Sequence, residues 1–216
     1  MKKLIFSNSL FDLKQNIGTI AASCYVSFTL IANVLSNKIA ILPVLNLSTD
    51  AGTIIYPLTF TFRDFIHKTL GKNKSRQIVI LAGILNFVMV GFFYLGAKMS
   101  PDPSWIYQKD FENILMPVTR IVLASIIAQV ISELIDTEIF SRIYKRLNDL
   151  YAVLFSNFVA LIVDTLIFVF IAFWGNFDSS VLSQIILTNI ILKLLISLFI
   201  LPIIRMIPRQ VEMDKI

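Results

Sequence analysis

Two copies of a short pattern, Asp-Thr-x-Ile-Phe, lie within long apolar stretches of the chain. The first begins at Asp136, directly after the apolar stretch 118–135, and the second begins at Asp164, inside the apolar stretch 151–174. Both stretches are long enough to cross a bilayer. A carboxylate in the hydrocarbon costs about 2.5–3.5 kcal/mol on insertion scales, so it is rarely kept there without a function. The pair therefore predicts a membrane protein with a polar interior that a solute crosses.

More polar side chains share a face with the first of these aspartates. Gln129, Glu133 and Asp136 are spaced i, i+4 and i+7, which places them on one side of a helix. Arg120 precedes them on roughly the same side. Glu133 has no basic residue within four positions, so a purely local ion pair does not explain it. This face is the first candidate for binding a polar solute.

The remaining apolar stretches also carry polar residues. Asn157 lies seven residues before Asp164, on the same helical face, and Lys193 lies near the middle of the last stretch. Polar groups this deep are expected to face each other or a wet cavity. The other candidates are Asn33, Asn37 and Asp64.

Architectural roles compete with solute binding at several of these positions. Asparagines in membrane helices often hydrogen-bond neighbouring helices, which applies to Asn33, Asn37 and Asn157. Lys193 and Asp164 are at similar depth, so they can form a buried ion pair of purely structural purpose. We interpret Arg63 as an anchor at the membrane interface, and Asp136 is near enough to the cytoplasm to pair with basic residues.

The composition indicates lipid as the solvent of this protein. The chain has 216 residues, of which 56% are hydrophobic and 15% are charged, with a mean hydropathy of +0.79. Soluble domains are about 25% charged, and one core of this size could not bury so much apolar surface. One cysteine, Cys24, and one histidine, His67, exclude a disulfide and any Cys-rich or multi-histidine metal site. We expect no metal and no cofactor.

Six stretches qualify as membrane-spanning helices of about 20 residues. Backbone groups in lipid must be satisfied within the segment, which favours helices over strands. The fold prediction is an all-α integral membrane protein, with residues 1–216 forming one polytopic domain. The predicted segments are 17–36, 53–67, 76–95, 118–140, 151–174 and 181–204.

Basic residues predict the orientation of these helices. Lysines and arginines are concentrated in both termini and in the second and fourth connections, whereas the other connections contain only Lys38, Lys98 and Lys109. The positive-inside rule therefore places both termini in the cytoplasm. This distribution accounts for the net charge of +5 without a nucleic-acid partner, because the basic residues are divided among short loops.

No catalytic constellation stands out. A Ser-His-Asp set, a zinc-protease His-Glu-x-x-His, a P-loop and a Gly-rich dinucleotide turn are all missing from the sequence. Asp136 and Asp164 do not lie in the Gly-Asp context of an intramembrane aspartyl protease. We therefore expect a protein that is not an enzyme.

Several motifs together resemble the VUT-type queuosine precursor transporters. The resemblance covers roughly residues 32–202. The motifs are Asn33-Val34 with Asn37-Lys38; Tyr56-Pro57-Leu58-Thr59-Phe60 followed by Arg63-Asp64 and Gly71; Arg120 followed by Ala124-Ser125, Gln129 and Asp136-Thr137; Asp164-Thr165 running into Phe173-Trp174-Gly175; and Lys193 followed by Pro202.

The resemblance implies an importer in the inner membrane for a 7-deazaguanine compound used in tRNA modification. The substrate would be the cyano base preQ0, the aminomethyl base preQ1, or queuine. The alternative is the substrate-binding membrane subunit of a multi-component vitamin or nucleobase importer. The partners expected are this small molecule and the lipid bilayer. A homodimer, an energising partner, proton coupling and facilitated diffusion all stay open.

The polar residues suit such a ligand. A carboxylate accepts the neighbouring N–H and NH₂ of a guanine-like edge, and Glu133, Asp136 or Asp164 offers one. Gln129, Asn157 or Arg120 is the candidate donor to O6, and Phe140, Phe155, Phe158 and Phe168 are candidate apolar walls. Because the two pattern copies run in opposite directions, we expect Asp164, Glu133 and Lys193 at the central site and Asp136 at an inner gate.

Overall fold

The computed structural model describes residues 16–43, 45–144 and 149–206. The side chains of Asp136, Phe140 and Asn157 lie outside what is described, and so do the predictions that rest on them. The elements in chain order are α1 (Ile17–Leu35), β1 (Ile39–Leu42), β2 (Leu47–Asp50), a 3₁₀-helix (Ala51–Ile54), α2 (Tyr56–Leu70), α3 (Lys72–Lys98), α4 (Gln108–Leu115), α5 (Val118–Tyr144), α6 (Asp149–Phe173) and α7 (Ser179–Met206).

Helices occupy all six predicted segments, and α4 is an additional short helix between the third and fourth. Within the described ranges, four stretches are long and apolar enough to cross a membrane. They are Ile17–Leu35, Asn73–Lys98, Gln108–Ile135 and Ser179–Ile196. These stretches support a multi-pass membrane protein, whereas six crossings and cytoplasmic termini stay predictions.

The helices α2 and α6 are the two that do not meet these criteria. The 15 residues of α2 give a helix of about 22 Å at 1.5 Å per residue, shorter than a hydrocarbon core of about 30 Å. The 25 residues of α6 are enough for a crossing, but its described apolar part is limited to Phe158–Phe173. Helix α2 begins with Pro57 in its first turn, a position that suits a residue without an N–H, and ends at Gly71, whose φ is 84°.

A short β-hairpin follows α1, where the sequence indicated only a connection between helices. Strands β1 and β2 are antiparallel, with Ile39 opposite Asp50 and Leu42 opposite Leu47. The hairpin packs on α7, where Gln184 Oε1 accepts a hydrogen bond of 3.0 Å from the backbone N–H of Ser48. This contact holds Asp50, the last residue of β2, against the helices.

Small residues let the helices approach closely. Helices α5 and α6 pack along each other, and their buried contact with α7 includes Ala124, Ala172 and Ile185. Helices α1, α2 and α3 share a second buried cluster around Ala21 and Ala82. Alanine at such interfaces is typical of membrane helices, because close backbone approach replaces the hydrophobic drive that lipid cannot supply.

Candidate functional site

A buried ion pair joins the last two helices. Lys193 Nζ on α7 donates to Asp164 Oδ2 on α6 at 2.8 Å, and the side chains are 4% and 6% exposed. The same ammonium donates to Thr165 Oγ1 at 3.1 Å and lies 5.0 Å from the centre of the Tyr56 ring. The pairing of Asp164 with Lys193 is therefore confirmed, and Tyr56 brings α2 to the same place.

A second buried carboxylate, Asp50, lies at the start of the 3₁₀-helix. Its Oδ1 accepts from Ser36 Oγ at 2.8 Å and from the Thr53 backbone N–H at 3.1 Å. Its Oδ2 accepts from Thr53 Oγ1 at 2.7 Å and from Asn189 Nδ2 at 2.9 Å. Asp50 caps the helix locally through Thr53 and connects α1 to α7 at long range.

Asp50 and Lys193, the partner of Asp164, line one cavity. It has a volume of ≈ 10 Å³ and is lined by Asn33, Ser36, Asp50, Thr53, Tyr56, Phe168, Asn189 and Lys193. A cavity of about 10–15 Å³ on this scale holds one water molecule. A bicyclic base does not fit in this cavity, so a ligand of that size would require the helices or the hairpin to separate here.

Asn33 on α1 is held by a hydrogen bond to α3. Its Nδ2 donates to Asn86 Oδ1 at 2.7 Å, and Asn86 Nδ2 donates to the Ala82 carbonyl at 2.8 Å. Both asparagines are almost fully buried. The prediction that Asn33 links two helices is therefore confirmed, with Asn86 as its partner. Asn33 also lines the cavity.

The acidic face of α5 pairs with α2. Glu133 Oε1 accepts from Arg63 NH1 on α2 at 2.9 Å, and from Gln129 Nε2 at 3.3 Å. The Arg63 side chain is 32% exposed and that of Glu133 is 50% exposed. Arg63 is thus held by an inter-helix ion pair and also lies over the Phe60 ring, while its role as an interfacial anchor stays a prediction. Glu133 and Gln129 do not line the cavity beside Asp164.

The other predicted binding residues have structural partners. Arg120 closes the C-terminal end of α6: its Nε donates to the Ile171 carbonyl and its NH2 to the Trp174 carbonyl, both at 2.6 Å. A cation suits the carbonyl-rich end of a helix. Asn37 Nδ2 donates to the Ile114 carbonyl at 2.9 Å, which links the turn after α1 to α4. Asp64 is half-buried with Arg63 among its electrostatic neighbours.

The structure thus brings together Asn33, Asp164, Lys193 and the predicted wall residue Phe168, and adds others that were not predicted as site residues. The additions are Ser36, Asp50, Thr53, Tyr56, Thr165 and Asn189. Two local signals were present. Asp50-x-x-Thr53 is a capping pattern, and Asn189 lies four residues before Lys193, on the same face of α7.

Comparison with known proteins assigns the chain to a transport family. Residues 50–207, more than half of the chain, match the family described as "Putative vitamin uptake transporter". The chain belongs to this family. No curated protein and no solved structure matches it. The matched region contains the residues of the cavity from Asp50 onward, while Asn33 and Ser36 precede it.

The charges of this site determine what it can bind. Lysine and aspartate side by side present donors and an acceptor to a polar ligand edge, and Tyr56 and Phe168 present aromatic surfaces. No group of three or more His, Cys, Asp or Glu side chains that could hold a metal ion occurs among the residues that the structure describes. The arrangement supports binding and release of a small polar solute.

Proposed function

We propose that this protein imports a 7-deazaguanine precursor of queuosine across the inner membrane for tRNA modification. The single observation that best supports the proposal is the buried Lys193–Asp164 pair beside the cavity, in a chain that belongs to an uptake family. A buried ionisable pair in a membrane helix bundle is a functional-site hypothesis by default. The family match supports uptake, and the chemistry of the pair supports the substrate class.

The edge of a 7-deazaguanine base complements this pair. O6 is an acceptor, and the adjacent N1–H and exocyclic NH₂ are donors. The Lys193 ammonium can donate to O6, while the Asp164 carboxylate can accept both N–H groups. The base would replace the direct Lys193–Asp164 hydrogen bond with interactions to each partner. Neither charge would then be left unpaired in the interior, which is the condition for a buried pair to exchange partners.

The flat face of the base requires apolar walls. Phe168 on α6 and Tyr56 on α2 line the cavity, and the Tyr56 ring already contacts the Lys193 ammonium. Asn33 and Asn189 supply further polar groups at the cavity edge. Because the cavity is now ≈ 10 Å³, we expect substrate entry to separate these walls. Binding then depends on an open conformation that the Lys193–Asp164 pair helps to close again.

The Arg63–Glu133 pair suits a place on the route that a solute takes after leaving the cavity. Glu133 is half-exposed, and an ionised carboxylate is costly against lipid, so we expect this side of α5 to border water or a solute path. The predicted orientation places this pair nearer the cytoplasm than Asp164. Opening of the pair would then release the substrate inward.

The test is uptake of labelled preQ0, preQ1 and queuine by proteoliposomes that contain only this protein. We expect accumulation of at least one of them. Asp164→Asn and Lys193→Met are each expected to reduce it at least about tenfold, because each loses a charged hydrogen bond worth about 1.5–3 kcal/mol. Glu138→Gln is the matched control, since Glu138 is exposed on α5 and pairs within its own helix with Arg142.

Two outcomes would contradict the proposal. Transport of unrelated vitamins with no response to any deazaguanine would remove the substrate class. Uptake that appears only when an ATPase and its membrane partner are added would make the chain the binding subunit of a multi-component importer. Equal uptake by wild type and Asp164→Asn would remove the site and leave the family assignment intact.

A further inference from the structure

Asp50 and Asp164 are both buried, but their partners differ in charge. Asp164 is paired with the Lys193 ammonium. Asp50 is 2% exposed, and its hydrogen-bond partners are two hydroxyls, a backbone N–H and an amide, all of them neutral. An ionised carboxylate away from water is costly without a compensating positive charge. Asp50 therefore has the surroundings of a cation ligand.

The cluster around Asp50 is also one hydrogen short. Thr53 Oγ1 contacts both Asp50 Oδ2 and Asn189 Oδ1, but a threonine hydroxyl has only one hydrogen to donate. Exchanging the oxygen and nitrogen of the Asn189 amide does not supply the missing hydrogen. The amide oxygen would then lie 2.9 Å from Asp50 Oδ2, again with no hydrogen between them. Two oxygens remain in contact with no hydrogen between them. A cation among these oxygens would resolve the conflict, and so would a proton on Asp50, which the response to acid distinguishes from a cation.

Further oxygens converge on the same place from α1. A Cβ at Gly52 would overlap Ser36 Oγ and would lie 2.5 Å from the Ala32 carbonyl oxygen and 3.1 Å from Asp50 Oδ1, so only glycine fits among these oxygens. The Ala32 carbonyl belongs to the last turn of α1, where the helix dipole is negative. Carboxylate, hydroxyl, amide and carbonyl oxygens are the ligands that hard cations prefer.

We propose that Ser36, Asp50, Thr53 and Asn189 form a binding site for a sodium ion. The single carboxylate of Asp50 balances one positive charge, whereas a divalent ion would leave one positive charge buried and unbalanced. The site is oxygen-ligated, so the scarcity of histidine and cysteine in the chain does not argue against it. The cavity of ≈ 10 Å³ that Asp50 lines has the size of a water molecule or a single small ion.

The sodium site adjoins the substrate site through α7. Asn189, which contacts Asp50, and Lys193, which contacts Asp164, are separated by one helical turn. Both line the same cavity. A bound sodium ion would hold β2 and the 3₁₀-helix against α7 and so stabilise the wall of the substrate pocket. Coupling of sodium to uptake rests on the proposed function, whereas sodium binding does not.

The first experiment measures thermal unfolding of the purified full-length protein without substrate. NaCl is varied at constant ionic strength against N-methylglucamine chloride, and against KCl. Sodium is expected to raise the midpoint by at least about 3 °C with saturation, since a ligand that binds only the folded state stabilises it. Potassium is expected to have little effect. No response to sodium, an equal response to potassium, or stabilisation by acid in place of sodium would overturn the proposal.

Two substitutions test the site itself. D50N should abolish the sodium response and keep or raise the midpoint in sodium-free buffer, because the new amide supplies the missing hydrogen. T53V removes one oxygen while preserving shape, and should weaken sodium binding at least about tenfold. The matched control is D110N, an exposed aspartate on α4, which should respond like wild type. An unchanged sodium response in T53V and D50N would refute the site, and T53V alone decides if D50N does not fold.

Proteoliposomes separate this inference from the proposed function. Sodium-dependent midpoints with no deazaguanine uptake would leave the ion site standing and remove the proposed substrate. Deazaguanine uptake with neither a sodium-dependent midpoint nor a sodium-dependent rate would remove only the ion site. Uptake driven by an inward sodium gradient and lost in D50N is the expected result.

Discussion

Among the described residues, two ion pairs join different helices, and they have the same chemistry but different surroundings. The N–O distance is 2.8 Å for Lys193–Asp164 and 2.9 Å for Arg63–Glu133. The first pair is 4% and 6% exposed, and the second is 32% and 50% exposed. Burial therefore distinguishes them more than geometry does.

The difference in burial indicates a different role for each pair. Charges in a buried pair depend on each other, because neither has water to replace a lost partner. If the Arg63–Glu133 pair borders water, as proposed above, it has that replacement and opens and closes at little cost. Lys193–Asp164 suits a fixed recognition element that exchanges its partner only for a ligand. Arg63–Glu133 suits a contact between α2 and α5 that breaks during a conformational change.

The largest effect is expected when one member of the buried pair is removed. Asp164→Leu or Lys193→Met alone should destabilise the protein by about 3–5 kcal/mol, because the remaining buried charge loses the opposite charge beside it. The double variant should recover most of this loss. Equilibrium unfolding in detergent measures both. If the double variant were as unstable as the worse single variant, the idea of mutual dependence would be wrong.

Arg120 offers an intermediate case, a single cation that binds backbone carbonyls rather than a carboxylate. Arg120→Gln should cost about 1.5–3 kcal/mol, because two charged hydrogen bonds to the end of α6 are lost. Arg120→Lys should recover only part, since an ammonium lacks the guanidinium fork. Hydrogen exchange at Ile171–Trp174 should increase selectively. A uniform increase over α6 would show that Arg120 does not act at this helix end.

A smaller effect is expected at the accessible pair. A double-mutant cycle with Arg63→Gln and Glu133→Gln should give a coupling free energy of about 1 kcal/mol or less. Raised salt should reduce that coupling, while leaving the Lys193–Asp164 coupling nearly unchanged. If the two couplings were equal in size and in salt dependence, burial would not be the property that separates the pairs.

The smallest effect should come from a neutral pair at comparable burial. Asn33 and Asn86 form one hydrogen bond between α1 and α3. A double-mutant cycle with Asn33→Ala and Asn86→Ala should show coupling of about 0.6 kcal/mol, the average for such bonds in membranes. The comparison with Lys193–Asp164 then isolates charge from burial. Coupling above that of the ion pair would reverse the ranking.

Much of the fold followed from local sequence properties. Long apolar runs predicted a helix at each of the six segments, and the structure has one there. The hairpin 39–50 and helix α4 were not predicted. Strands of four residues and a helix of eight are too short to show a clear periodic pattern in the sequence. They are stabilised instead by packing, of the hairpin on α7 and of α4 on α3.

The site could be predicted only where the sequence offers few possible partners for a buried charge. Lys193 and Asp164 are charged residues inside apolar segments, and their pairing followed from the cost of leaving either alone. Glu133 was expected beside them but pairs with Arg63. Local sequence does not show which helix packs against a given side chain, so this partner could not be predicted. Asp50 was overlooked because it lies outside every apolar segment.

Lipid as the expected solvent, the helical segments and the charges that need partners all followed from local composition, because hydropathy and the cost of burial are local properties. The tertiary structure decided which charges meet. It folded the hairpin back over α7 and so buried Asp50 beside Asn189. That contact joins residues 139 positions apart, and its energy depends on packing between elements that no local pattern encodes.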